Sequence, residues 1–325
     1  MSKKELHTIL IPSYITESGK EFTNLPLSYQ VFGQALGTNP IVLVNHALTG
    51  NSDVLDWWKD LVGENKLIDT NKFTIISFNI PGNGYDGFLL EDYKSFVLKD
   101  IAKLFKHGLD NLNVTNLFAC LGGSIGGALA WELAALYPNL IENLIPIATD
   151  WKTTDWLKAN LTVQEILLNN SSNPIHDARI HAMNLYRTPA SYKSKFNRTF
   201  NEEKGITNVD SWLFHHGDKL SERFELKAYK LVNYLLGTVD ITRNGEAFIE
   251  VASRINGNII IVGIDADLFF LANENRETYE ELSPRKSNVQ YNEIKSIHGH
   301  DAFLIEYNQL NSILKNIFTK ELEKI

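Results

Sequence analysis

The stretch that decides the fold is Leu117-Phe118-Ala119-Cys120-Leu121-Gly122-Gly123-Ser124-Ile125-Gly126. Its first half is an apolar run typical of a buried strand, and its second half is a G-x-S-x-G pattern. The following residues, 127–137, have the composition of a helix. A strand, a sharp turn and a helix are the context in which this pattern exposes a nucleophilic serine near the positive end of the helix. The sequence therefore predicts Ser124 as a nucleophile, and the alternative is an ordinary glycine-rich turn.

Short apolar segments alternate with helical patterns along most of the chain. Strands are predicted at 27–33, 41–44, 73–78, 140–148, 259–264 and 289–294, and helices at 93–107 and 304–324. This alternation predicts an α/β fold with a mainly parallel, doubly wound sheet. Residues 151–245 break the pattern, because they are helix-like, rich in aromatic residues and without a convincing strand. We expect a helical lid inserted into a core made of residues 1–150 and 246–325; the alternative is a set of extra helices on one flank.

Composition limits the classes of partner. The chain has 325 residues, a net charge of −8 and one cysteine. The negative charge argues against nucleic acid or an anionic membrane as the main partner, and no apolar run approaches the ~20 residues of a membrane span. Residues 1–7 lack the apolar region of a signal peptide, and a single cysteine, Cys120, fits a reducing compartment. We therefore expect a cytoplasmic protein that acts on small molecules.

The usual metal-binding motifs and the P-loop are missing from the sequence. It contains no H-E-x-x-H, no C-x-x-C and no P-loop. The adjacent His215 and His216 would diverge on a helix rather than share a metal ion. We expect no metal site and no bound prosthetic group.

A serine nucleophile needs a base and an acid that orients the base, and in this fold class they follow the serine in the order acid, then histidine. Asp267 lies just after the strand predicted at 259–264, and His300 lies after the strand predicted at 289–294. Asp265 is an alternative acid, although Asp267 lies further into the loop and would reach the histidine more easily. His298 is an alternative base.

An oxyanion hole needs two backbone N–H donors. Ile125, directly after the nucleophile, is one candidate. The loop after the strand predicted at 41–44 should supply the other, and Leu48 is the predicted donor within it. The alternative reading of this loop is a capped strand-to-helix turn.

Several segments resemble one enzyme family. The matching segments are Asn45-His46-Ala47-Leu48-Thr49-Gly50, Gly122-Gly123-Ser124-Ile125-Gly126-Gly127, Ala178-Arg179, Leu185-Tyr186-Arg187-Thr188-Pro189, His216-Gly217-Asp218-Lys219, Arg223-Phe224 and Gly299-His300-Asp301-Ala302-Phe303-Leu304. From about residue 25 to residue 305, the chain resembles the homoserine O-acyltransferase family of the α/β-hydrolase superfamily. The resemblance implies an α/β-hydrolase fold with a helical lid.

The resemblance also implies roles for individual residues. Ser124 would accept the acyl group, His300 would act as base and Asp267 would orient it. Arg179 and Tyr186 would line the substrate tunnel, Asp301 would meet the amino group of homoserine, and Thr49 would lie beside the oxyanion donors.

The activity implied by the resemblance is ping-pong acetyl transfer to L-homoserine in methionine biosynthesis. Acetyl-CoA would be a substrate rather than a resident cofactor, and the lid helices would form a homodimer. Residues 79–88 differ from the glycine-rich loop of the family. This difference supports an alternative, a serine esterase of small acyl esters. A non-catalytic binding protein on the same fold is a further alternative, against which the order of Ser124, Asp267 and His300 speaks.

Overall fold

The computed structural model describes residues 5–243 and 245–320. Its strands are β1 (His7–Ile15), β2 (Glu21–Gly33), β3 (Ile41–Asn45), β4 (Val62–Gly63), β5 (Ile68–Asp69), β6 (Thr74–Phe78), β7 (Leu117–Gly123), β8 (Ile141–Ile147), β9 (Phe200–Asn201), β10 (Ile206–Thr207), β11 (Asn258–Ile264) and β12 (Val289–Ile294). Eight of them form one sheet in the order β1-β2-β6-β3-β7-β8-β11-β12. The pairs β1–β2 and β2–β6 are antiparallel, and the remaining neighbours in this sheet are parallel.

Helices connect these strands and cover both faces of the sheet. They are α1 (Val54–Trp57), α2 (Leu98–Asn111), α3 (Ile125–Leu136), α4 (Asp155–Asn170), α5 (Pro174–Tyr186), α6 (Pro189–Phe196), α7 (Asn208–Arg223), α8 (Leu226–Leu236), α9 (Phe248–Ser253), α10 (Ala272–Leu282) and α11 (Tyr307–Lys320). Two short 3₁₀ helices span Tyr93–Ser95 and Gly299–Leu304. None of the helices in the described ranges is long and apolar enough to cross a bilayer.

The core lies in two layers, one on each face of the sheet. One layer contains Phe78, Phe105 and Trp131, and the other contains Trp58 and Phe318. Every residue of β7 is buried. A strand buried on both faces requires the continuous apolar run that precedes the serine motif, because each side chain faces protein on its own side.

The predicted α/β class with a mainly parallel sheet is confirmed, with differences at the element boundaries. The strand β1 was not predicted, because most of its residues are exposed and it carries little apolar signal. The helix predicted at 93–107 begins only at residue 98. The Asp100 carboxylate accepts a hydrogen bond from Val97 N–H at 2.9 Å, which caps the helix at that point.

The helix predicted at 304–324 begins at Tyr307, because Gly299–Leu304 forms a 3₁₀ helix instead. Residues 321–324 of that prediction lie outside the described residues.

Residues 151–245 contain helices α4 to α8 between β8 and β11. They also contain the small hairpin β9–β10, which the sequence analysis did not predict because each strand is only two residues long. Helix α5 contacts the 3₁₀ helix Gly299–Leu304, so this region lies beside the loop that carries His300. The division into a core and a lid domain stays a prediction.

Candidate active site

Ser124 lies at a sharp turn between β7 and α3. Its backbone has φ +59° and ψ −129°, a conformation that non-glycine residues rarely adopt and that costs about 1–3 kcal/mol. The turn is held on both sides, because Ser124 N–H donates to Ile147 O at 2.9 Å and Ser124 O accepts from Gly127 N–H at 2.9 Å. Strand β8 and the first turn of α3 therefore fix a strained serine at the carboxyl edge of the sheet, where α/β proteins place their sites.

The glycines around Ser124 permit a close approach of β3, β7 and α3. A Cβ atom on Gly122 would collide with the backbone of Gly126 and with Asn45 O, and one on Gly126 would collide with Asn45 O and His46 O. The Asn45 side chain holds this contact, since its Nδ2 donates to Gly126 O at 3.0 Å. The serine motif and the predicted oxyanion loop are thus joined directly.

Asp267 and His300 form a buried pair. His300 Nδ1 lies 2.7 Å from Asp267 Oδ2, and the exposures of the two residues are only 4% each. Asp267 Oδ1 accepts two further hydrogen bonds, from Phe269 N–H at 2.7 Å and Phe270 N–H at 2.9 Å. The carboxylate is therefore fixed, and it favours the tautomer with the proton on Nδ1 of His300. That tautomer leaves Nε2 as the basic atom.

The two alternative residues have other partners. Asp265 is exposed and accepts a hydrogen bond from Ser296 N–H at 3.0 Å. His298 Nδ1 lies 3.0 Å from Arg187 Nη1. Asp265 and His298 therefore make contacts that stabilise the loop carrying His300, whereas Asp267 pairs with His300 itself.

The His300 loop packs against the serine turn. Phe303, in the same 3₁₀ helix as His300, occupies the space that a Cβ atom on Gly123 would need. Ser124 Oγ forms no hydrogen bond to any residue within 5–243 or 245–320, so Ser124 and His300 are not hydrogen-bonded to each other in this structure. Catalytic hydrogen bonds often tighten only when substrate is bound.

Aromatic rings surround the His300 imidazole. The rings of Tyr186, Phe269, Phe270 and Phe303 have centroids 5.3–5.6 Å from that of His300. Burial raises the pKa of the Tyr186 hydroxyl to about 12, so this group stays protonated near neutral pH. The shell limits the access of water to the base.

Arg179 and Tyr186, both predicted to line a substrate tunnel, are neighbours in the structure, and the tunnel itself stays a prediction. The Arg179 guanidinium lies 5.4 Å from the centroid of the Tyr186 ring. Arg179 has no ion-pair partner among the described residues. Arg179 thus presents a cation close to the ring that contacts His300.

A buried histidine, His46, holds the predicted oxyanion loop, the segment after β3 that contains Leu48. His46 Nδ1 donates to Ala47 O at 2.8 Å, and His46 Nε2 accepts from Ile80 N–H at 3.1 Å. Complete burial lowers the pKa of His46 to about 4, so its ring is neutral. Neither Leu48 N–H nor Ile125 N–H donates to an acceptor in the described part of the chain. Both amides are therefore available to an oxyanion, although these roles stay predictions.

Two arginines that the sequence analysis gave no role contact the predicted substrate residues. Arg223 Nη1 donates to Thr49 O at 3.1 Å, which links α7 to the oxyanion loop. Arg187 Nε donates to Asp301 Oδ2 at 2.8 Å. Asp301, predicted to meet an amino group, is therefore already paired with a cation through one oxygen. Both arginines lie in the family-like segments, so the resemblance marked their positions without indicating their contacts.

No group of three or more histidine, cysteine, aspartate or glutamate side chains is arranged to hold a metal ion in residues 5–243 and 245–320.

Comparison with known proteins places the chain in a family. Residues 40–294 match the model of the alpha/beta hydrolase fold family. A homoserine O-acetyltransferase from Chloroherpeton thalassium is 31% identical over 94% of this chain and 86% of its own length.

Two solved structures share the fold. A homoserine O-acetyltransferase from Bacillus anthracis has a TM-score of 0.85 at 17% identity, covering 97% of this chain and 98% of its own. An acetylester hydrolase from Corynebacterium glutamicum has a TM-score of 0.84 at 19% identity, covering 97% and 96%. Since a transferase and a hydrolase fit equally well, the structural likeness shows the α/β-hydrolase fold alone. The sequence similarity is more specific, and it shows that this chain belongs to the homoserine O-acyltransferase family.

Proposed function

We propose that the protein is an acyltransferase that moves the acetyl group of acetyl-CoA to the hydroxyl of L-homoserine, in methionine biosynthesis. The observation that carries the proposal is the Asp267–His300 pair, at 2.7 Å, in a loop packed against the strained Ser124 turn. Nucleophilic catalysis by serine needs an oriented base close to the serine hydroxyl. Family membership supports the choice of donor and acceptor.

In the first half-reaction, His300 Nε2 takes the proton of Ser124 Oγ as that oxygen attacks the thioester carbonyl. The Leu48 and Ile125 amides would hold the negative oxygen of the tetrahedral intermediate. The C–S bond then breaks, and the proton on His300 passes to the departing thiolate. The products of this step are free CoA and an acetyl ester on Ser124.

In the second half-reaction, His300 takes the proton of the homoserine hydroxyl, and that oxygen attacks the acetyl ester. Collapse of the intermediate returns the proton to Ser124 and releases O-acetylhomoserine. Arg179, which pairs with no acid among the described residues, is suited to the carboxylate of the amino acid, and the Asp301 oxygen that does not accept from Arg187 is suited to its ammonium group. The aromatic shell around His300 opposes attack by water.

The first experiment is thiol release from acetyl-CoA with and without L-homoserine, in wild type and in Ser124→Ala. Release that depends on homoserine, yields O-acetylhomoserine and disappears in the variant supports the proposal. Release that ignores homoserine contradicts it.

A serine esterase is the second candidate. It is favoured by residues 79–88, which differ from the glycine-rich loop of the family, and the triad chemistry is the same with water as acceptor. Cleavage of p-nitrophenyl acetate together with no effect of homoserine on acyl-enzyme turnover would support this candidate.

We also propose a homodimer through the lid helices. Trp156, Val163 and Ile166 recur at helical spacing along α4 with exposures of 47%, 41% and 54%. An apolar stripe of this kind favours association with a second copy. Light scattering after gel filtration should give the mass of a dimer for wild type and a lower mass for Ile166→Asp; a monomeric wild type contradicts the proposal.

A further inference from the structure

A groove of about 640 Å³ lies between α6 and the hairpin β9–β10, separate from the catalytic residues. Its walls include Tyr192, Lys193, Phe196, Arg198, Thr199 and Thr207. This volume is in the range of pockets that hold small molecules. None of the residues assigned a role in the triad or the oxyanion hole lines it, so the proposed chemistry leaves it unused.

The groove carries positive charge without matching negative charge. Lys193 and Arg198 are exposed on its wall, and Lys195 lies beside them; none of the three forms an ion pair within residues 5–243 and 245–320. No aspartate or glutamate of the described residues lines the groove, and the adjacent Asp210 accepts a hydrogen bond from the Thr207 hydroxyl at 2.7 Å. In a chain of net charge −8, such a local excess of cations attracts anionic ligands.

Aromatic rings stand next to these cations. Tyr192, Phe196 and Trp212 form a cluster with ring centroids 5.5–5.8 Å apart. Lys195 Nζ lies 5.8 Å from the centroid of Phe196 and 5.9 Å from that of Trp212. Flat apolar rings suit a heterocyclic base, and neighbouring lysine and arginine side chains suit phosphate. A ligand with both parts is a nucleotide.

The groove is linked to the active-site side of the molecule by shared residues. A narrow cleft next to it is lined by Tyr192 and Phe196 and also by Arg187. Arg187 is the residue that pairs with Asp301, directly after His300. One end of an elongated ligand could therefore lie in the groove while its other end approaches Ser124.

We propose that this groove binds the adenine nucleotide end of the acyl-CoA donor, with Lys193 and Arg198 at the phosphates and the aromatic cluster beside the base. The inference rests on the proposed function, since it takes an acyl-CoA as the donor. The thioester end lacks phosphate groups, so charge in the groove acts on donor affinity and leaves the chemical steps unchanged.

The test compares two donors in two double variants. Acetyl-CoA carries the nucleotide, and S-acetylpantetheine lacks it. In Lys193→Gln/Arg198→Gln, we expect KM for acetyl-CoA to rise about 5- to 20-fold with kcat unchanged, because two exposed charge contacts are lost. KM for S-acetylpantetheine should stay within about twofold of wild type by the same reasoning. The control Lys59→Gln/Lys315→Gln makes the same change of charge at exposed positions outside residues 151–245 and should change neither KM.

Equal effects on the two donors, or equal effects in the control variant, would overturn the inference while leaving the transferase intact. If wild type uses neither thioester, the proposed function fails. Calorimetry with adenosine 3′,5′-bisphosphate then tests separately whether the groove binds a nucleotide. Binding that weakens in Lys193→Gln/Arg198→Gln supports a nucleotide site, and no binding by wild type overturns it. Tighter binding of ADP than of CoA would assign the groove to a free nucleotide and would also overturn the inference.

Discussion

Replacing Asp267 with asparagine tests the core of the site, whichever acceptor the enzyme uses. Asp267 Oδ1 accepts two backbone N–H groups, from Phe269 and Phe270. An asparagine keeps these bonds only with its carbonyl oxygen at the Oδ1 position, which turns its NH₂ group toward His300. The opposite orientation would set an NH₂ group against two N–H donors. The amide thus donates to His300 Nδ1 and forces the ring proton onto Nε2, the atom that has to accept the proton of Ser124.

We expect kcat to fall about 10⁴-fold, which corresponds to about 5.5 kcal/mol of transition-state stabilisation. Initial rates with acetyl-CoA and with p-nitrophenyl acetate should fall together, because both need the same base. Asp265→Asn is the matched control: its amide oxygen still accepts the bond from Ser296 N–H, so its rate should stay within about threefold of wild type. Activity of Asp267→Asn above about a tenth of wild type, or an equal loss in Asp265→Asn, would refute the assignment of Asp267, provided both variants melt near the wild-type temperature.

Three further outcomes follow from contacts around the site. The unfolded chain protonates His46 near its ordinary pKa of 6.5, whereas burial holds the folded pKa at about 4. The free energy of unfolding should therefore decrease by at most about 3 kcal/mol as pH falls from 6.5 to 4. Urea titrations of wild type and His46→Gln across this pH range should show the decrease as a difference between the two proteins. Arg187→Met removes the partner of Asp301 and should lower kcat/KM for L-homoserine about 10- to 100-fold. Arg187→Lys should cause a smaller loss. Unchanged kinetics in Arg187→Met would contradict the role of Arg187 in positioning Asp301. Glu132 is 1% exposed and pairs with Arg243 Nη2 at 2.6 Å, so Glu132→Gln should cost about 3 kcal/mol in urea unfolding, and a cost below about 1 kcal/mol would contradict the role of this pair.

The sequence predicted the parallel core because its physical signal is local. A strand such as β7, buried on both faces, has to be apolar throughout, and Gly122 and Gly126 are required by the close approach of the β3 backbone. The first strand, β1, was not predicted because it is an exposed edge strand, and its conformation depends mainly on pairing with β2. The start of α2 was predicted wrongly because the boundary is set by a side-chain cap from Asp100, the third residue of the helix.

For the candidate site, chain order was sufficient to predict that Asp267 and His300 lie close together, since the ends of neighbouring parallel strands meet at one edge of the sheet. The contacts of Arg187 and Arg223 were not predictable in this way. Each arginine lies on the helical insertion and reaches a loop of the sheet more than a hundred residues away in sequence. Such contacts depend on how the insertion packs, and no periodicity or motif spacing encodes that packing.

Under the proposed mechanism, the choice between transfer and hydrolysis depends on these same long-range contacts rather than on the triad. Both reactions would share the acyl-enzyme, and they would differ only in whether His300 next deprotonates the homoserine hydroxyl or water. A transferase has to hold an amino acid at that position more often than water, and this needs fixed charges near an otherwise apolar base. The aromatic shell of His300 supplies the apolar part, and Arg179 lies against Tyr186, one ring of that shell. Arg187, at the end of α5, pairs with Asp301. The acceptor preference is therefore a property of how α5 and the His300 loop pack together, so substitutions at Arg179 and Arg187 should shift the ratio of transfer to hydrolysis while leaving formation of the acyl-enzyme largely intact.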